Sequence, residues 1–134
     1  MSSSGFNHFP EVIEKLHEAL HTIVGETAQD IADGYTANAP RATGYSASSA
    51  YVRTSDSSTY GQGGIEPPKG VTSLPEVDAP PDDLTAYAAV AAPYAIFPEL
   101  GTIHMAPEPA WNPSVEDAGV KFADRLSHIE DYLR

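Results

Sequence analysis

Cysteine is absent from this 134-residue chain, which excludes disulfides, thiolate-bound zinc, iron–sulfur clusters and thiol nucleophiles together. Basic residues are scarce: seven Lys and Arg stand against nineteen Asp and Glu, a formal charge of −12. Binding to a phosphate backbone depends on clustered cations that release counterions, so a chain this acidic would meet DNA as a repelling surface and not as a reader. No apolar run approaches the roughly twenty residues of a membrane-spanning helix, and mean hydropathy is −0.28. Met1–Phe9 carry neither a basic region nor an apolar stretch, so no secretory signal is expected. The P-loop, the GxSxG elbow and the GxGxxG fingerprint are missing too. Hydrophobic residues still make up 41%, enough for one core, and the length suits a single domain over 1–134 with a flexible N-terminus at 1–8.

Two amphipathic helices frame the chain. Phe9, Val12, Ile13, Leu16, Leu20, Ile23, Val24, Ala28 and Ile31 recur at spacings of three and four, which predicts a helix over Pro10–Asp33. Asn7 and Pro10 suit its start, and Gly34 suits a left-handed C-terminal position. Gly25 lies inside and weakens the helix locally. Val115, Ala118, Phe122, Leu126, Ile129 and Leu133 line one face of a second helix, from Pro113 almost to Arg134, with Asn112 as its cap. Between them, Tyr45–Arg53, Leu84–Ala92 and the short Ile103–Ala106 read as strands. Residues 54–83 differ in kind: Pro67, Pro68, Pro75, Pro80, Pro81 and four glycines mark a long Pro/Gly-rich arm that links two neighbouring strands. An α+β fold follows, with the two helices packed on one face of a small, mainly antiparallel sheet that carries a long extended loop.

The one motif with catalytic spacing is His17-Glu18-Ala19-Leu20-His21. It fits HExxH, in which two His one helical turn apart bind zinc and the Glu activates a water. No downstream third ligand announces itself, since the extended form would need His where Thr27 stands. Two solvated His on an acidic helix are therefore expected, and a small zinc hydrolase using His17, Glu18 and His21 stands as the alternative. His104 and His128 are isolated, and the pairs Asp82-Asp83, Glu116-Asp117 and Glu130-Asp131 lack the spacing and glycine of a calcium loop. No enzyme, metal or cofactor is indicated.

Pro93–Pro113 holds five prolines together with Tyr94, Phe97 and Trp111, a stiff aromatic corner leading into the last helix. Gly101 permits a turn closed to other residues, and Glu99 is placed to accept backbone N–H bonds around it. Tyr94-Ala95, Glu99, Gly101-Thr102, then Met105, Ala106, Pro109 and Pro113 resemble the signature of the head–tail joining proteins of long-tailed double-stranded DNA phages, also called neck, tail-completion or tail-terminator-like proteins. Upstream, Ala39-Pro40 and Thr43-Gly44 are similar to that family's A-P-x-x-T-G turn. The chain departs from the family at Tyr45–Ser48, where a basic residue and Leu are usual, and at Pro107–Trp111, where Arg-Pro-Phe is usual.

The resemblance implies a structural virion protein of a siphophage-like neck, assembled in the host cytoplasm. It would form a homo-oligomeric ring, hexameric by expectation, that joins the head connector or stopper to the tail tube or completes the tail. DNA would pass the lumen without specific binding, and no membrane is involved. It also points to Pro40, Thr43, Gly44, Tyr94, Glu99, Gly101, Thr102 and Pro109 as structural and interface residues; the corner's aromatics Phe97 and Trp111 are expected to join them, with Tyr60–Pro81 as a contact arm.

Overall fold

The structure, a computed structural model, describes residues 9–39, 44–95, 99–101 and 109–133. It is an α+β fold. Helix α1 spans Phe9–Asn38, a single helical turn α2 spans Tyr45–Ser48, strands β1 and β2 span Ala50–Arg53 and Tyr87–Val90, and helix α3 spans Trp111–Ser127 before a 3-10 turn at Ile129–Tyr132. The expected strand Ile103–Ala106 and the cap Asn7 lie outside the described residues.

Helix α1 does not stop at Asp33. It runs unbroken through Gly25 and Gly34 to Asn38, about 45 Å at 1.5 Å per residue. Gly34 serves an approach between helices instead of a cap: a Cβ there would lie 2.7 Å from Ser114 Oγ and 3.0 Å from Ser114 Cβ. The turn beyond it is held by burial, because Tyr35 and Ala39 join Ala47 and Ala110 in one core cluster. Helix α3 packs chiefly along α1, where Arg125 pairs with Asp30 at 2.6 Å and with Glu26 at 3.6 Å. Past Ser127 the expected α-helix tightens into 3-10 geometry. There the Ser127 hydroxyl donates to Asp124 O, and Tyr132 OH donates to Glu26 Oε1 at 2.7 Å.

Strands β1 and β2 pair antiparallel, Ala50 opposite Val90 and Arg53 opposite Tyr87. Alternation sends Ala50, Val52 and Ala88 towards Ala28 and Ala32 of α1, small residues that let helix and sheet approach closely. The first strand is shorter than its sequence suggests, because Tyr45–Ser48 coil into α2. Gly44 takes φ 77°, in the left-handed region, and its carbonyl accepts the Ser48 N–H at 3.0 Å. Ser48 Oγ and Ser49 Oγ then donate to Tyr45 O and Ser46 O, local bonds that compete with a strand ladder. The second strand is likewise trimmed, since the Asp82 carboxylate holds Leu84 N and Thr85 Oγ1 in a turn.

Residues 54–83 fold back over the other face of the sheet. Tyr60 stands edge-on to buried Tyr51 at 4.9 Å, and Tyr51 OH accepts from Val77 N. Arg53 pairs with Glu76 at 3.1 Å, and Leu74 N donates to Ala91 O. The sheet therefore lies between α1 and the arm.

Candidate functional site

Two places gather the residues singled out by sequence: the corner that opens α3, and the histidine pair on α1. At the corner the backbone N–H groups of Ala110, Trp111 and Asn112 converge on the Glu99 carboxylate at 2.9, 2.8 and 2.9 Å. The first N–H groups of a helix lack intrahelical acceptors and carry partial positive charge, so one carboxylate meets both needs. The cap expected from Asn112 is thus supplied by Glu99, and Asn112 lies within the helix as a donor. Desolvation by itself would raise the Glu99 pKa, but the N–H bonds from Asn112, Trp111 and Ala110 together outweigh it and hold the carboxyl below its ordinary range.

Aromatic contacts brace the same corner. Trp111 meets Tyr35 edge-on at 5.9 Å, and Tyr94 lies tilted against Tyr45 at 6.3 Å. Tyr35 OH and Ser46 Oγ share a buried bond of 2.7 Å. Burial raises the phenol's pKa, that bond lowers it, and Glu99 and Tyr94 add to the rise, for a net increase. Thr36 Oγ1 sits 2.9 Å from both Ala32 O and Ala47 O, tying α1 to α2. Gly44 is adjacent to Tyr45 of the aromatic pair, Gly101 takes φ 77°, and Pro109 is exposed. Pro40, Thr43, Phe97 and Thr102 lie outside the described residues. The two motif stretches therefore share one core cluster, in which Ala39 lies with Ala47 and Ala110 and Ala95 packs against it, while Tyr45, next to Gly44, lies against Tyr94. Beside them an apolar cavity of about 360 Å³ is lined by Tyr35, Val90, Ala95, Glu99, Leu100 and Trp111. Leu100 is 66% exposed at its mouth. Tyr35, Ser46 and Ala110 were not singled out by sequence; the apolar period of α1 marks Ile31 but stops before Tyr35.

The histidine pair is not simply solvated. His21 Nδ1 is bonded to the Asp83 carbonyl oxygen, His21 Nε2 lies 3.5 Å from Asp56 Oδ2, and His17 Nε2 lies 3.5 Å from Asp83 Oδ2. Asp56 begins the arm and Asp83 ends it, so both of its ends return to α1, and Ser55 Oγ donates across them to Asp83. The bond to the Asp83 carbonyl raises the His21 pKa above 6.5; desolvation opposes this, and the Asp56 and Asp83 charges add to it. Asp83 is held low, first by Ser55 and then by His17, and Asp56 first by Thr54. Among the described residues no group of three or more His, Asp or Glu side chains is placed to hold a metal ion. His128 sits at the end of α3 with Nδ1 3.0 Å from Asp124 O, and His104 lies outside the described residues.

No helix among the described residues is long and apolar enough to cross a membrane. No family model, curated protein or solved structure matches the chain.

Proposed function

We propose that this chain is a non-enzymatic subunit of the neck of a long-tailed double-stranded DNA phage, forming a ring that joins the head connector to the tail tube or completes the tail. The observation that supports the reading is the meeting of its two motif stretches, far apart in sequence, at one braced corner. There Glu99 holds the start of α3, Trp111 packs on Tyr35 and Tyr94 on Tyr45. Beside this corner, exposed Leu100 and the apolar cavity offer an apolar surface to a neighbour. Such a corner suits a repeating assembly, in which one patch of each copy meets a different patch of the next. The net charge of −12 suits a lumen through which DNA moves without sticking.

The test is made in the phage that encodes the chain. Gly101→Val strains a backbone at φ 77° that β-branched residues cannot easily adopt, and Trp111→Ala removes the aromatic brace. Electron microscopy of lysates should show filled heads with separate tails, or tails of irregular length. Normal yields of infectious tailed particles from both variants, with subunits that fold, would overturn the reading.

A further inference from the structure

Every described residue from Phe9 to Glu18 is exposed, and the first buried position of α1 is Ala19. Ahead of the His17–Asp83 pair, the first turns of the helix are thus largely uncovered while carrying large apolar side chains: Phe9, Val12, Ile13 and Leu16 are 52%, 57%, 54% and 39% exposed. At about 100° per residue these four fall on one side of the helix, and Glu11, Glu14 and Glu18 fall on the other. A body that covered the stripe would leave those carboxylates in water and incur no charge-burial cost. Elsewhere on the chain an apolar groove of about 440 Å³ opens between the middle of α1, the approach to β2 and α3. Val24, Ile31, Leu84, Val115 and Phe122 line it, with Leu84 and Val115 about two-fifths exposed. For scale, one benzene occupies a cavity of roughly 150 Å³, so the groove has room for about three side chains of that size.

We propose that the projecting stripe of α1 seats in the groove of a second copy of this chain, in a head-to-tail contact. The contact deepens the ring reading above and rests on it only for closure. The stripe cannot fill its own groove, because Val24 and Ile31 belong to the same unbroken helix and a rod does not fold onto itself. Pairing stripe to stripe would bury on the order of 300 Å² per copy. That is short of the roughly 800 Å² per partner of a standard interface, as any single contact made by this stripe is, and it would also leave the groove open. Stripe into groove engages two surfaces on every copy and repeats from one copy to the next. Charge acts against it: copies at −12 repel, so the association must be apolar and must strengthen when salt screens the repulsion.

Sedimentation velocity of the full chain tests this, at concentrations up to about 1 mM, where an interface this small associates. Runs at about 50 mM and about 500 mM salt bracket a several-fold change in screening length. The wild type should show species larger than a dimer, more of them at high salt. Ile13→Glu spoils the stripe and Val115→Glu spoils the groove, both at exposed positions, with circular dichroism to confirm folding. Each variant alone should lose every species heavier than the monomer. An equal mixture of the two retains one competent stripe and one competent groove, so it should recover a heterodimer and nothing larger. A wild type that stays monomeric, assembly that survives Ile13→Glu or Val115→Glu, or a mixture that recovers nothing would each overturn the contact. Failure here leaves the particle phenotypes of Gly101→Val and Trp111→Ala untouched, so the two readings fail separately.

Discussion

Removing Glu99 should cost more than removing an ordinary surface carboxylate. Its side chain accepts from Ala110, Trp111 and Asn112, and losing a helix cap costs about 1 kcal/mol. In Glu99→Ala the Asn112 N–H can turn to water, but Ala110 is 1% exposed, and a buried donor left unpaired costs about 1–3 kcal/mol. The sum is about 2–4 kcal/mol, which should lower the urea midpoint by roughly 1–2 M. Glu99→Gln keeps an acceptor oxygen and loses the charge at the helix start, about 0.3–1 kcal/mol. The pH dependence separates the two effects. The folded carboxyl lies below its ordinary 4.5, so its ionic contribution is complete above the unfolded value and disappears as pH falls through the folded one. Wild type and Glu99→Gln should therefore converge in acid. An alanine variant within about 0.5 kcal/mol of wild type at neutral pH, or a glutamine gap that persists in acid, would refute the reasoning.

Gly34→Ala gains helix propensity of about 1 kcal/mol, yet should destabilise by about 1–3 kcal/mol because its Cβ meets Ser114. Ser114→Gly in the same chain should recover most of that loss in a double-mutant cycle. The His21 link to the arm is favoured by protonation. Since its pKa is raised, that stabilisation is complete below the unfolded value and is lost as pH rises through the folded one. Tryptic cleavage at Lys69, the only basic residue of residues 54–83, should accordingly be faster relative to an unstructured peptide control at about pH 8 than at about pH 6. Equal relative rates would refute this, as would a His21→Asn variant that keeps the wild-type pH trend. Protein purified without chelator should contain far less than one zinc per chain by atomic absorption, and EDTA should leave the melting temperature unchanged; stoichiometric zinc would restore the hydrolase reading.

Sequence alone determined the two long helices, because a repeat of three and four is a property of the chain itself. It also located the strands that pair and the arm between them, since Pro and Gly exclude regular structure whatever surrounds them. Where each element stops was decided by tertiary contact for the first helix and by local side-chain bonds for the strands. Gly34 reads locally as a terminus, yet Ser114 approaches it and Tyr35 is buried beyond it, so the helix continues. Tyr45–Ser48 alternate as a strand would, but the left-handed Gly44 and the serine hydroxyls favour a helical turn. Glu99 was legible as an acceptor of backbone N–H groups; that those groups open α3, more than ten residues away in sequence, was not. His17 and His21 carry a zinc-site spacing in one dimension. In three dimensions, the returning ends of the arm place Asp56 and Asp83 against them. A local pattern records which face of an element seeks a partner. Which partner arrives depends on chain closure over tens of residues, which only the folded molecule specifies.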